Sequence, residues 1–176
     1  MNENEFKLIN LGIKNRLNKK VKVLKKLYQA LIDGDDIINF HSKCDNIPNT
    51  LVLIKSAENR RFGGFTSIPW TSSEKTEYKD DPNAFLFSLD KQRIYSYNKN
   101  GKAICNNKCF GPYFGNGDIQ IFQHCIENKG LYTYESRSSY CSYNYNGDNN
   151  ALSESNTNYI YSADYEVFQV YLNNYI

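Results

Sequence analysis

The stretch that decides the fold is TLVLIKSAENRRFGGFTSIPW at residues 50–70, followed by DPNAFLFSL at residues 81–89. Its apolar runs are rich in β-branched and aromatic residues, and its Gly and Pro lie between the runs, where turns belong. Residues 51–54 are continuously apolar, which predicts a strand covered on both faces. Residues 62–70 predict its hairpin partner, after a turn at residues 58–59. This stretch indicates a buried β-core and carries no catalytic motif.

Two features of the stretch give specific structural predictions. Residues 84–89 alternate between faces, and we predict one face of this strand inside a sandwich with apolar residues of the first strand: Phe85, Phe87 and Leu89 with Leu51 and Leu53. Gly63 and Gly64 open the hairpin partner, although Gly in a strand costs roughly 0.5–1 kcal/mol relative to Ala. We therefore predict that at least one of them has positive φ, or has another chain segment packed directly on its Cα.

The remainder of the chain is polar and rich in Asn, with short apolar runs between turn signals. Runs of this kind in close succession predict a sandwich. The further strands are predicted at residues 93–97, 118–125, 132–135, 159–161 and 166–172. Polar connections are predicted at residues 71–83, 99–108 and 136–158, the last of them long and partly mobile. A short helix over residues 37–43 is predicted to be capped by Asp35 or Asp36.

The N-terminal segment has two interpretations. Apolar residues recur every three or four positions, which predicts a long amphipathic helix: Ile9, Ile13, Leu17, Val21, Leu24, Tyr28 and Leu31. Residues 21–29, VKVLKKLYQ, also fit a strand. The opposite face of the helix interpretation carries a basic stripe of Lys14, Arg16, Lys19, Lys20, Lys22, Lys25 and Lys26.

Four pieces of the chain, in order, resemble the TLDc domain family. LVLIKS, FGGFTSIPW and YKDDPNAFLFSL are similar to its central block, and LYQALIDGDDIINFHSKCDN is similar to the segment that precedes it in protist versions. GPYFGNGDIQI at residues 111–121 resembles the family's glycine-rich element, and YEVFQVYL at residues 165–172 resembles its last strand. The resemblance covers about residues 27–172.

The resemblance implies a mostly β (α+β) fold, a two-sheet antiparallel β-sandwich with a few flanking short helices. It also implies a strand over about residues 23–30, after a helix that ends near Asn18, and we prefer this interpretation. The chain is then divided into an N-terminal helical extension at residues 1–20 and a TLDc-like domain at residues 21–176. The family is tied to protection against oxidative damage, and several members bind the vacuolar proton-pumping ATPase. It implies no agreed set of catalytic residues.

Composition sets limits on the class of protein. The chain has 176 residues with 40% hydrophobic and 23% charged content, which indicates one soluble globular domain. A net charge of +2 does not favour nucleic acid as a partner. We expect no transmembrane segment and no signal peptide, because no apolar run approaches about 18 residues and the N-terminus lacks a basic region before an apolar one. Five Cys without a dense framework predict free thiols and a cytoplasmic location.

Three groups of residues and one carboxylate are candidate sites. The glycine-rich loop at residues 111–117 lacks the Gly-Lys-Ser/Thr opening a helix that a phosphate loop requires, so we interpret it as a turn. Cys105 and Cys109 have zinc-ligand spacing, but His124, Cys125 and Cys141 do not supply a matching pair, so we predict no metal and no cofactor. His41 and Cys44 lie three residues apart on one helix face and are a weak candidate for a Cys–His nucleophile pair. Glu166, at the start of the last strand, is a weak candidate for a functional carboxylate.

These observations leave three hypotheses about function. The first is a non-enzymatic TLDc-type protein-binding module, with the vacuolar proton-pumping ATPase as the candidate partner. The second is a thiol-dependent antioxidant or hydrolytic enzyme that uses Cys44 with His41, or a surface thiol. The third is a structural or scaffold domain. The basic stripe fits an acidic partner or weak contact with an anionic membrane surface, and a merely solvated helix face remains the alternative.

Overall fold

Antiparallel strands are the main secondary structure of the fold. The computed structural model of the chain describes residues 1–128, 130–133, 141–148, 150–153 and 158–174. Over these residues the helices are α1 (Glu3–Leu17), α2 (Ala30–Asp33) and α3 (Ile37–Cys44). The strands are β1 (Lys19–Gln29), β2 (Thr50–Ser56), β3 (Arg61–Thr66), β4 (Glu77–Lys79), β5 (Phe85–Ser88), β6 (Arg93–Tyr97), β7 (Ile104–Asn106), β8 (Tyr113–Phe114), β9 (Ile119–Ile121), β10 (Leu131–Thr133), β11 (Tyr143–Asn144), β12 (Tyr159–Ile160) and β13 (Ser162–Asn174).

The strands form two sheets. The larger has seven strands in the order β1-β13-β2-β3-β5-β6-β11, and the smaller has six in the order β12-β10-β9-β8-β7-β4. The sheets are antiparallel and pack together, with short helices at the flanks. The predicted β-sandwich is therefore confirmed. Strand β1 lies at one edge of the larger sheet and pairs with β13 over its whole length.

The predicted central hairpin is present, with Leu53 opposite Gly63 and Val52 opposite Gly64. The partner strand ends at Thr66, so the prediction that it extends to Trp70 is wrong. Trp70 instead forms an isolated parallel bridge with Asp45, and its indole N–H donates to Thr50 Oγ1 at 2.9 Å. The side chain of Trp70 therefore turns back under the hairpin and holds the chain in the core.

Close packing explains why glycine occupies positions 63 and 64. Neither Gly63 nor Gly64 has positive φ. A Cβ on Gly63 would overlap the carbonyl oxygen of Val52 on the neighbouring strand, and a Cβ on Gly64 would lie 2.7 Å from the ring of Phe114 in the opposite sheet. The second form of the prediction, direct packing on the Cα, is confirmed. At this position the two sheets approach each other without a side chain between them.

The apolar residues divide into two clusters on opposite faces of the larger sheet. The cluster between the sheets includes Val52, Ile54, Leu86, Phe114 and Leu131. The other cluster lies beneath α1 and combines Ile9 and Ile13 with Leu51, Leu53, Phe65, Phe85, Phe87 and Leu89. Phe85, Phe87 and Leu89 do share a buried face with Leu51 and Leu53, as predicted. Their placement inside the sandwich is wrong, because that face is covered by the helix.

The N-terminal segment follows the second interpretation. Helix α1 begins at a capping box between Asn2 and Glu5 and ends before Asn18, which has φ 52° and donates its N–H to the Lys14 carbonyl. A single helix that continues to Leu31 is therefore wrong. Glu5 also forms an ion pair with Arg61 of β3. Helix α1 is thus joined to the larger sheet by an apolar face and by a charged pair.

The sequence patterns did not predict several very short strands. The polar connections at residues 71–83, 99–108 and 136–158 contain β4, β7 and β11, and the glycine-rich loop contains β8. The predicted strand at residues 118–125 is reduced to β9, and the one at residues 132–135 begins earlier as β10. Residues 129, 134–140, 149, 154–157 and 175–176 lie outside the described part, so the predicted mobility of residues 136–158 stays a prediction. Helix α3 is capped as expected, by Asp36 accepting from the Ile38 N–H at 3.0 Å.

Candidate functional site

The imidazole of His41 is held at both nitrogens. Helix α3 places it so that Nδ1 lies 2.8 Å from Asp45 Oδ1 and Nε2 lies 3.0 Å from the Phe110 carbonyl oxygen. Asp45 also accepts from Ser72 Oγ at 2.6 Å. Burial acts to raise the pKa of Asp45, but the hydrogen bonds from His41 and Ser72 lower it on balance. This geometry ties α3 to two loops and leaves neither imidazole nitrogen directed at a thiol.

Cys44 lies in the cluster between the sheets and is fully buried. Burial raises the pKa of its thiol strongly, and the nearby Asp45 and Asp33 raise it further. A nucleophilic Cys requires a thiolate and access to substrate, and this environment disfavours both. The described environment of Cys44 and His41 counts against the thiol-enzyme hypothesis.

The remaining four thiols differ in their exposure. All five cysteines are free, as predicted. Cys105 and Cys125 are buried, Cys141 is half-buried and Cys109 is exposed. Within the described part of the chain, no three His, Cys, Asp or Glu side chains are grouped so that they would hold a metal ion. Cys109 borders a groove of about 780 Å³ beside α3, and Ile38 and Ser42 of α3 also line this groove.

Glu166 lies on β13 opposite Gln29 of the edge strand β1. Its side chain is 23% exposed and forms an ion pair with Lys26. The position therefore fits a carboxylate that fastens β1 to β13. A role for Glu166 beyond this contact remains a prediction.

The glycine-rich loop is a structural clamp built around Asp118, a residue that the sequence analysis did not single out. Its buried carboxylate accepts from the N–H groups of Ser142 at 2.9 Å and Tyr143 at 3.2 Å, and from the Tyr145 hydroxyl at 3.0 Å. Gly115 has φ 69°, and a Cβ there would overlap the Asp118 carboxylate. Burial raises the pKa of Asp118 to about 6, although these hydrogen bonds act to lower it. Asp118 therefore holds β11 of the larger sheet against the turn at residues 115–118, whereas residues 113 and 114 of the predicted turn form β8.

The lysine-rich edge strand β1 is the most distinctive surface. We call the exposed side chains of Lys19, Lys20, Lys22 and Lys25, together with the outer backbone of β1, the basic edge. Among the described residues, none of these four lysines forms an ion pair, whereas Lys26 is paired with Glu166. Uncompensated lysines this close together produce a local positive potential although the net charge of the chain is only +2.

At both ends of the basic edge, a side chain accepts a hydrogen bond from the backbone of β1. Near its start, the Val21 N–H donates to Asn10 Oδ1 of α1 at 2.8 Å. At its end, the Gln29 N–H donates to Asp33 Oδ2 at 2.8 Å. Between these caps, Val23 is 48% exposed, and its cross-strand neighbour Tyr171 is 42% exposed. The strand thus combines positive charge, a solvent-facing backbone and an apolar pair.

Two packed antiparallel sheets, a helix over the larger sheet and the glycine-rich clamp together define a β-sandwich domain. The chain belongs to the TLDc domain family, whose match covers residues 1–171. This family is linked to oxidative-stress resistance. No curated protein matches the sequence. Among the described residues, none of the helices combines the length and the apolar character needed to cross a bilayer.

Proposed function

We propose that the protein is a non-enzymatic TLDc-type protein-binding module of the cytoplasm. Its role would lie in oxidative-stress resistance and in regulation of the vacuolar proton-pumping ATPase. The observation that carries the proposal is the basic edge, where four exposed lysines lie on one strand without a described acidic partner. Exposed like charges are steering groups for a partner of opposite charge, because they raise the rate of encounter and repel the wrong partners.

A protein rather than a membrane is the principal partner in this function. A lysine near an anionic bilayer contributes about 1 kcal/mol, so the basic edge also allows weak membrane contact. However, it lies on a narrow strand edge, where Val23 and Tyr171 are exposed apolar side chains, and the exposed Leu31 and Ile32 of α2 lie only beyond its end. A narrow edge fits the surface of a protein partner better than it fits a flat bilayer.

The test is direct binding of the purified protein to the purified vacuolar ATPase, measured by biolayer interferometry. We expect Lys22→Gln/Lys25→Gln to weaken the equilibrium affinity at least tenfold. The matched control is Lys75→Gln/Lys99→Gln, which removes the same charge from exposed lysines elsewhere and should bind like the wild type. Salt should weaken wild-type binding, because exposed charges are screened over about 8 Å at physiological ionic strength.

Three results would contradict the proposal. If the wild-type protein does not bind the pump, the pump is not its partner. If the two double variants bind equally, the basic edge is not the contact surface. Binding to vesicles containing phosphatidylserine without binding to the pump would assign the lysines to membrane contact instead.

A further inference from the structure

We infer that β1 accepts an extended acidic segment of a partner protein, which adds to the larger sheet as an eighth strand at its β1 edge. This inference rests on the proposed function and names the form of the contact. Over the described residues, the larger sheet contains seven strands and β1 lies at its edge. An edge strand presents unpaired N–H and C=O groups, which are a template for strand addition.

The backbone of β1 is available where an added strand would lie. Among the described residues, only β13 is hydrogen-bonded to the backbone between Lys22 and Tyr28. The caps from Asn10 and Asp33 bond Val21 and Gln29, which flank this stretch. The caps therefore limit the free edge to a short central part. An added strand there would be about five residues long, which is an ordinary strand length.

Charge decides which strand can occupy this edge. A second copy of β1 would bring its own lysines against Lys20, Lys22 and Lys25, and like charges on neighbouring strands are destabilising. Lysines on an edge are a known protection against such self-pairing. The same lysines attract an acidic strand, so repulsion of one class of partner and attraction of another give specificity.

The apolar pair suggests the pattern of the partner segment. Leu24 packs against the cluster beneath α1. Successive side chains of a strand point to opposite faces, so Val23 and Lys25 point to the other face, as does Tyr171 opposite Val23. A segment that alternates acidic and apolar residues could place carboxylates near the lysines and an apolar side chain beside Val23 and Tyr171.

The interruptions of β1 favour a short partner. The register with β13 shifts between Val21 and Val23 and again between Lys26 and Tyr28. Irregularities of this kind increase the local twist of a strand. Between them, Val23 to Lys26 pair regularly. The occupant is therefore a short acidic segment rather than a long, flat strand from another sheet.

The probe is a seven-residue peptide in which Glu alternates with Val, studied with the whole protein at low salt. Its affinity is measured by isothermal titration calorimetry, and its position by amide hydrogen exchange. The matched control peptide has the same sequence, with the backbone nitrogens of alternate residues methylated so that they cannot donate. Charge is the same in both peptides, so any difference between them reports backbone hydrogen bonding. The protein variants are Lys22→Gln/Lys25→Gln and the control Lys75→Gln/Lys99→Gln.

We expect the unmethylated peptide to bind and to protect amides between Lys22 and Tyr28. Methylation in the alternate register that faces β1, and the Lys22→Gln/Lys25→Gln substitutions, should each raise its Kd at least tenfold. Both alternate methylation registers are made, because only one can face β1. Equal binding of the peptide and both methylated forms would overturn strand addition and leave charge attraction alone. Absence of peptide binding, or protection only outside β1, would also overturn it. If the peptide does not bind but the protein still binds the pump, strand addition is overturned and the proposed function stands. If the peptide binds but the protein does not bind the pump, only the pump is excluded as the partner.

Discussion

Gly63 carries a specific prediction, because its missing side chain leaves room for the backbone of β2. We expect Gly63→Ala to destabilise the protein by about 1–3 kcal/mol, the usual cost of overpacking a core. Strand propensity alone predicts the opposite sign. Gly64→Ala should also destabilise, since the added Cβ would lie 2.7 Å from the ring of Phe114. Urea unfolding measures both values.

The control for the glycine variants is Lys55→Ala, at an exposed position of the same hairpin. It should remain within about 0.5 kcal/mol of the wild type. If both glycine variants are as stable as the wild type, the sheets do not approach as closely at this position as the structure shows. The FGG element would then have no structural reason in this chain.

Asp118 gives a prediction about pH. Burial raises its pKa in the folded protein from 3.8 to about 6. When the pKa of a carboxyl is higher in the folded than in the unfolded protein, the folded state favours the protonated form of that carboxyl. Its contribution to stability is therefore fully present below pH 3.8 and is lost as pH rises towards 6. The difference in unfolding free energy between wild type and Asp118→Asn should therefore fall across this interval, by on the order of 1 kcal/mol per pH unit.

The pH series needs a control because other carboxylates titrate in the same interval. Glu58→Gln changes an exposed residue, and its difference from the wild type provides the baseline. A flat difference between wild type and Asp118→Asn from pH 4 to 6 would show that the hydrogen bonds to this carboxylate outweigh its burial.

Helix α1 is the element whose packing is easiest to test. Ile13 lies on the buried face of α1 and is fully buried, whereas Leu11 on the same helix is 50% exposed. Ile13→Ala should cost about 2–5 kcal/mol through loss of buried surface and a cavity. Leu11→Ala should change stability by less than about 0.5 kcal/mol. Thermal unfolding of both variants tests whether α1 contributes to the core.

The same comparison tests the division of the chain at residue 20, which stays a prediction. If residues 1–20 are a helical extension that is separate from the domain at residues 21–176, the domain in the Ile13→Ala variant will unfold at the wild-type temperature. A large cooperative loss of stability in this variant would instead make α1 part of the domain's own core.

Local patterns predicted the longer elements well. The strands β2, β5 and β6 were recognisable because dense apolar or alternating residues extend over four or more positions. The two- and three-residue strands β4, β7, β8 and β11 were not, because their existence depends on pairing with partners distant in sequence. Alternation showed that Phe85 and Phe87 share a face, but it contains no information on whether a helix or a second sheet covers that face.

The site was less predictable than the fold, because it depends on tertiary contacts. Spacing placed His41 and Cys44 on one helix turn, yet burial of the Cys44 thiol and the two acceptors around His41 depend on other elements. The importance of Asp118 depends on donors more than twenty residues away. The basic edge was visible as a run of lysines, but its exposure at a sheet edge was not.

At the scale of the whole molecule, the reactivity of the five thiols tests which cysteines the fold buries. Denatured, non-reduced protein should give about five thiols with Ellman's reagent, because all five cysteines are free. In the native protein, Cys109 should react first, since it is the exposed one, and Cys44, Cys105 and Cys125 should react only on unfolding. Cys109→Ser should remove the fast phase. A denatured count near one would indicate disulfides, and rapid native reaction of Cys44 would contradict its burial.

The basic edge is the proposed surface through which this TLDc protein contacts its partner. The most direct measurement is amide hydrogen exchange of the whole protein, alone and bound to the purified vacuolar ATPase. We predict slower exchange on binding for amides of β1 between Lys22 and Tyr28, with little change in β9 and β10 of the smaller sheet. Unchanged exchange in β1, with protection confined to other surfaces of the bound protein, would show that the basic edge is not the contact surface.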